Sequence, residues 1–331
     1  MNSIQQTVMT NLPGGRGTSP AGWTTFDAVC CQHNGETVDT KGRAGVITTP
    51  EGGFSHHCFN CNFVTGWNPG RHLGFKCRKL LSWLGVSDNK IQHLVLEALR
   101  LKQHAIETGE IFEKEEVNFE VRKFPPDSMN IGELIDNELD DNNFVDVLSY
   151  CLEERNLPLD IVRSFYWSTN SGFKRRFTIP CMWEGEPIGY VSRSITDTNR
   201  FINQFDTNFV FNVDAQSHDA KFVLVFESPI DALLMGGVAV MTNTLSDQKI
   251  DIVESLGKKV ILVPDFDKSG KKLIEDASEC GWSVSFPEWA PALKDAGDAV
   301  HKYGTLFTLK SILQGTVDTR LKIELGKKKY Y

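Results

Sequence analysis

FVLVFESPIDALL at residues 222–234 and KKVILVPDFDKSGKKLIED at residues 258–276 decide how this chain folds. Each opens on an unbroken apolar run, the composition of a strand buried on both faces, and passes into a segment with helical spacing. Strands alternating with helices in this way predict a parallel sheet with crossover helices, an α/β fold. Both apolar runs end in acid: Glu227, with Asp231 four residues on, and then Asp265 and Asp267. A third run, PALKDAGDAV at 291–300, carries Asp295 and Asp298 in a turn. Parallel sheets bind their ligands beyond the carboxyl ends of the strands, so acids collected there predict a divalent-cation site.

The two acids of DFD are two residues apart, which on an extended chain points both carboxylates the same way. Magnesium or manganese suits such a pair, taking one or two protein carboxylates and completing its shell with water and phosphate oxygens. Glu227 on the neighbouring strand end is a further ligand or a base for a hydroxyl nucleophile. Asp295, beside Lys294, completes a second metal position, and Asp231 falls one turn into the following helix. A lone acid in such a loop is ordinarily a helix cap, but three clusters at strand ends exceed what capping requires. Neither a GxxxxGK[ST] loop nor a GxGxxG fingerprint is present, which argues against motor-type ATP hydrolysis and dinucleotide binding.

The 331 residues suggest two to three domains, with the apolar and charged fractions of a globular protein. No apolar run approaches the roughly 18 residues that cross a membrane, and MNSIQQTVMTNLPGGRG lacks the pattern of a secretory signal. A cytoplasmic setting is expected. The net charge of −8 is unevenly distributed: residues 107–146 hold 13 acids against three bases, and the remainder carries +2. Local charge decides whether a polyanion binds, so nucleic acid stays open as a partner.

At the N-terminus, Cys30-x2-His33 and Cys58-x2-Cys61 are separated by 24 residues that include AGVITT and a Gly52-Gly53 turn. Two knuckles of paired soft ligands around a β-hairpin are what tetrahedral zinc requires, with Cys31, His56 and His57 close enough to substitute. Apolar spacing predicts helices over 71–106, followed by an acidic linker broken at Pro125-Pro126. FKRRFTIPCMWEGEPIGYVSRSI and RFIN then interleave Lys174, Arg175, Arg176, Arg193 and Arg200 with Phe173, Phe177, Trp183, Tyr190 and Phe201. Guanidinium groups pair with phosphates and aromatic rings stack bases, although the same alternation also describes a half-buried sheet.

In this order the motifs resemble those of the DnaG-type primases of bacteria and phages, and among them the stand-alone primases of T-even-type phages. The knuckles are similar to that family's CxxH…CxxC, and Glu227 with Asp231 to the E-x3-D of a TOPRIM domain. DFD is similar to its DxD, KDAGD to its KDPD-like loop, and RRFTIP…IGYVSR…RFIN to its basic run. The resemblance implies an α/β TOPRIM-type parallel sheet, an α+β basic subdomain and a small zinc-ribbon-like N-terminal domain. The corresponding division is a zinc-binding domain at 1–70, helices and acidic linker at 71–140, and a basic polymerase subdomain at 141–218. A TOPRIM subdomain at 219–310 and a tail at 311–331 follow. Zinc is implied on Cys30, His33, Cys58 and Cys61, and magnesium or manganese on Glu227, Asp265, Asp267 and Asp295. The implied activity is synthesis of short RNA primers from ribonucleoside triphosphates on single-stranded DNA, with Glu227, Asp265 and Asp267 catalytic. Lys174, Arg175, Arg176, Arg193 and Arg200 would hold nucleotide and template, and a separate replicative helicase and a single-stranded-DNA-binding protein are the implied partners. Other TOPRIM proteins, such as nucleases and recombination mediators, are the alternative, and the basic run separates them from primases.

Overall fold

The computed structural model describes residues 2–14, 17–71, 73–108, 117–196, 200–290 and 292–330. It divides into two compact units, Met1–Val117 and Asn118–Tyr331. Among the described residues no helix is long and apolar enough to cross a membrane.

The first unit is an antiparallel meander with three helices. Helix α1 (Ser3–Asn11) starts on Asn2, whose side chain accepts from the Gln5 amide. Strands β1 (Gly17–Thr18), β2 (Thr24–Phe26), β3 (Ala44–Thr48), β4 (Phe54–Cys58) and β5 (Val64–Trp67) pair in that order. The β3–β4 turn contains Gly52-Gly53, and Gln5 Nε2 reaches it through the Gly53 carbonyl at 2.9 Å. Helices α2 (Phe75–Trp83) and α3 (Asp88–Thr108) follow. Phe26, Val46, Phe54, Leu80, Leu81 and Leu94 share one core, so the expected boundary at 70/71 runs through the middle of a packed unit. The short ribbon cannot bury enough apolar surface alone, and the helices supply the rest.

In the second unit, strand β6 (Ser128–Asn130), helix α4 (Ile131–Asp136), helix α5 (Asn142–Ser149), a π-helical turn (Tyr150–Glu154) and helix α6 (Leu159–Arg163) lead into β7 (Tyr166–Ser168), β8 (Arg176–Trp183), β9 (Glu186–Ser194) and β10 (Phe201–Gln204). These form an antiparallel sheet in the order β10-β9-β8-β7-β6. Glu184 (φ 51°) and Gly185 (φ 82°) turn β8 into β9; two successive left-handed residues match the twist of a tight hairpin. The acidic segment is docked from residue 118 onward, with Phe119 against Trp183 and Phe209 and the Arg122 amide on the Pro187 carbonyl at 2.8 Å. The linker stretch 109–116 lies outside the described residues.

The remaining elements are β11 (Phe222–Phe226), α7 (Pro229–Met235), β12 (Val238–Ala239), α8 (Asp247–Glu254), β13 (Lys259–Leu262), α9 (Lys268–Cys280), β14 (Ser283–Ser285), α10 (Ala296–Tyr303), α11 (Thr305–Gln314), β15 (Thr316–Val317) and α12 (Arg320–Tyr330). Their sheet runs β12-β11-β13-β14-β15, with the first four strands parallel and β15 antiparallel. From β11 the chain moves to β12 on one side, and from β13 it moves to β14 on the other. The strand order therefore reverses between β11 and β13, the position where open sheets leave a crevice. One core, from Ile131 and Trp167 through Phe177, Leu224 and Ile261 to Ile312, crosses the expected boundaries at 140/141, 218/219 and 310/311. The expected tail at 311–331 is folded: β15 completes the sheet, and Lys327 of α12 pairs with Glu275 of α9 at 2.7 Å.

Candidate active site and metal centre

In the first unit the β2–β3 connection carries one knuckle and the β4–β5 connection the other. Cys30, Cys31, Cys58 and Cys61 bring their sulfurs within 4.8 Å of one another. Cys30 and Cys61 are 3.4 Å apart, Cys31 and Cys58 3.6 Å. Tetrahedral zinc with bonds of about 2.3 Å places sulfurs roughly 3.8 Å apart, so the cluster fits that ion. His33 does not join it: its ring lies flat on Trp83, with centroids 4.6 Å apart and planes 5° apart. In the cluster Cys31 stands where His33 was expected. His56 is also outside the set, wholly buried between Phe26 and Phe63, and His57 packs on Phe59.

The surroundings offer hydrogen bonds to two of the sulfurs. Asn60 Nδ2 donates to Cys31 Sγ at 3.2 Å, and Asn34 Nδ2 reaches Cys61 Sγ at 3.7 Å. Arg43 donates to Asn60 Oδ1 and to Asp39 Oδ1, fixing the amide that faces Cys31. Burial opposes ionisation of Asp39, but the amides of Ala28, Lys41 and Arg43 and the Arg43 guanidinium hold its carboxyl well below the usual range. Burial pushes the Cys31 thiol up to about 11, while backbone N–H groups of Cys61 and Asn60 outweigh burial and lower Cys58. Four sulfurs so close are stable as thiolates only around a cation.

In the second unit Glu227 follows β11 and Asp265 follows β13, on either side of the crevice. The Phe266 amide donates to the Lys294 carbonyl at 2.8 Å, which joins the DFD loop to the loop carrying Asp295. Burial, then Glu227, Asp295 and Asp267, raise the Asp265 carboxyl to about 8. Asp295 is raised by burial, although it caps α10 by accepting from the Asp298 amide at 2.8 Å. Asp267 is partly exposed, with Lys294 Nζ 3.8 Å away. Among the described residues, the four cysteines alone bring three or more metal-capable donor atoms within 4.8 Å of one another. The acids share an electrostatic field without closing on a single point. This suits magnesium, which keeps much of its water and substrate oxygen.

Asp231 and Asp298 hold the scaffold. Asp231 is buried in α7 and accepts from the Gly297 amide at 2.6 Å. Burial, Asp295 and Asp265 raise its carboxyl well above the ordinary range. A Cβ on Gly297 would come within 2.9 Å of Asp231 Oδ1, so a larger residue there would displace that carboxylate. Asp298 accepts from the Lys294 amide at 3.0 Å, a capping role.

The basic residues divide into groups. Arg175 pairs with Asp146 at 2.7 Å on the surface, and Lys174 is exposed. Arg176 is buried in β8 and donates to the Ser192 carbonyl at 3.3 Å. Arg193 lies opposite Phe177 and Phe201, on the half-buried face. Its guanidinium rests over the Phe201 ring at 5.3 Å and reaches Tyr150 Oη at 3.4 Å, and its Nε is buried with no hydrogen-bond partner among the described residues. Burial lowers its pKa, followed by the repulsion of Arg155 and, less strongly, of Arg200. Arg155 ends the π-helical turn and also acts on Asp231 and Asp295, lowering both carboxyls. Arg155 thus links the basic group to the acids. Sequence reading passed over it, because a single arginine after two glutamates carries no motif; its position after the turn following α5 was the available signal.

No known protein family matches the sequence, and no curated protein matches it. Among solved structures, a DnaG primase catalytic domain bound to ssDNA is similar at 15% identity, covering 56% of this chain and 78% of that one, with a TM-score of 0.44. A DnaG catalytic core is similar at 16%, covering 56% and 79%, with a TM-score of 0.45. The primase fragment of the bacteriophage T7 primase-helicase protein is similar at 12%, covering 83% and 95%, with a TM-score of 0.38. With each TM-score below 0.5, the functional reading rests on the residues of this chain.

Proposed function

We propose that this chain is a DNA primase that makes short RNA primers from ribonucleoside triphosphates on single-stranded DNA, through a TOPRIM-type sheet. One observation carries the reading: Arg155 acts electrostatically both on the strand-end acid Asp295 and on the half-buried guanidinium of Arg193, which pairs with no carboxylate among the described residues. Strand-end acids coupled to arginines, one of them desolvated, suit a metal-bound triphosphate, which needs both. A helix-capping role for the acids leaves the cations unexplained.

Glu227, Asp265, Asp267 and Asp295 would hold magnesium or manganese, which when bound neutralises the triphosphate and favours ionisation of the attacking hydroxyl. Glu227, half-buried beside Asp265, would accept the proton of the primer 3′-hydroxyl. Arg193, Arg200 and Arg155 orient phosphate oxygens, and Arg193 comes to them already desolvated. Arg175 and Lys174 lie at the surface, where the exposed pair with Asp146 is weak enough to yield to a template phosphate. Cys30, Cys31, Cys58 and Cys61 would hold zinc. The exposed Phe59 between the last two offers a ring to an unstacked base. A separate replicative helicase would supply unwound template, on which a single-stranded-DNA-binding protein would also act.

The test incubates the purified chain with single-stranded DNA of varied sequence, magnesium and labelled ribonucleotides, with the cognate replicative helicase supplied. Short RNA products that disappear in Asp265→Asn, while DNA binding persists, are the expected result. No products on any template, or full synthesis by the variant, refutes the proposal.

A further inference from the structure

Lys249 lies in α8 and is 1% exposed, the one lysine among the described residues that is buried. Its Nζ donates to the Val240 carbonyl and to Thr242 Oγ1, each at 2.6 Å. Among the described residues no carboxylate lies within ion-pairing distance; Asp206 acts on it only through space. Burial lowers its pKa to about 8, so at pH 7 it is a cation inside the protein. A buried charge without a partner is costly, and a hydrophobic side chain of similar size commonly serves folding as well or better. Departures of this kind gather where function demands them.

The segment that Lys249 grips is itself unusual. Met241 has φ 61°, a left-handed backbone that is strained for a long side chain. Its amide donates to the Glu227 carbonyl at 3.2 Å, which ties the segment to the strand end carrying an acid of the proposed site. Thr242 Oγ1 donates onward to the Thr244 carbonyl at 2.9 Å, and the Leu245 amide is held by Asp276 Oδ2 at 3.1 Å. Asn243, between the two threonines, is exposed. Residues 241–244 thus leave the carboxyl end of β12 beside Glu227, the side on which ligands of parallel sheets bind.

We propose that Lys249 is a positioning residue, which holds the Met241–Thr244 loop as a rigid wall of the nucleotide site next to Glu227. This rests on the primase reading only for the identity of the ligand. Lys249 touches no substrate. It fixes the carbonyl of Val240 and the hydroxyl of Thr242, and so keeps Met241 in its left-handed conformation and Asn243 outermost. Without the cation the loop is expected to relax toward unstrained backbone.

Two variants of the full chain test this. Lys249→Met keeps the side-chain length and apolar stem but removes all donors, and Thr242→Val removes the side-chain acceptor at nearly constant shape. Hydrogen exchange of peptides covering 240–246 is expected to quicken about tenfold in Lys249→Met and less in Thr242→Val, with other peptides unchanged and melting temperature held or raised. Primer synthesis by Lys249→Met should fall about tenfold in kcat/KM while zinc content is unaltered. Unchanged loop exchange overturns the proposal, as does faster exchange throughout the second unit with a lower melting temperature, which would make Lys249 merely structural. If the wild-type chain makes no primers, the ligand reading fails while the exchange measurement still decides the role of Lys249.

Discussion

Asp265 shows what one residue bears in this site. Burial and three neighbouring acids raise its carboxyl to about 8, so near neutral pH the metal-free folded chain holds a proton that the unfolded chain has released. Because the folded state binds more protons over this window, the contribution of Asp265 to stability is full below the unfolded carboxylate value near 4. It declines as pH rises through about 8. Asp231 and Asp295 are raised for related reasons and add to the same slope. In magnesium-free buffer, melting of the second unit should therefore fall from pH 5 to pH 8.5. Asp265→Asn should flatten that fall and melt higher at the alkaline end, and magnesium should flatten it in the wild type. Parallel profiles for variant and wild type would refute the coupling. The acids were legible in the sequence because strand periodicity and a strand end fix where such residues go. Arg155 was not, since its electrostatic effect on Asp295 spans some 140 residues of sequence that no local pattern connects.

At the scale of elements, the knuckles separate what spacing can tell from what it cannot. Cys30-x2-His33 and Cys30-Cys31 offer ligand pairs of similar reach, and the choice depends on the direction each side chain takes from the short helical turn at Gln32–Asn34. That turn sends His33 onto Trp83 of α2, a contact between segments some 50 residues apart that no local pattern contains. Cys31→Ser should reduce bound zinc well below one per chain and destabilise the first unit, as should Cys58→Ser. His33→Ala should keep one zinc per chain and cost about 1 kcal/mol, the value of one aromatic stack. Zinc analysis with denaturant melts checks all three, and zinc loss in His33→Ala alone would restore the histidine as ligand. The hairpin between the knuckles and the strands of the parallel sheet were readable, because alternation and apolar runs are local signals. The expected boundaries at 70/71 and 310/311 were not, because α2 and β15 join their units through distant partners.

At the scale of the whole molecule, one core carries the cysteine cluster and a separate one the strand-end acids. The first unit, through Val117, gathers its core around the cysteine cluster, and the second builds one core beneath both of its sheets. A structural zinc contributes to the stability of the unit that binds it and to no other, because linkage acts on the cooperative unit containing the ligand. Calorimetry of the full chain should accordingly show two transitions. A zinc-selective chelator should lower the first by about 10 °C or more and leave the second in place, since a structural zinc is worth several kcal/mol and each kcal/mol shifts a domain of this size by a few degrees. The first unit should still melt cooperatively without zinc, because α1, α2 and α3 give it a core that the ribbon alone lacks. Magnesium should raise only the second transition, and less in Asp265→Asn. If both transitions moved together with either ion, the cores would belong to one cooperative unit. Zinc loss from the first unit would then report directly on the acids of the second.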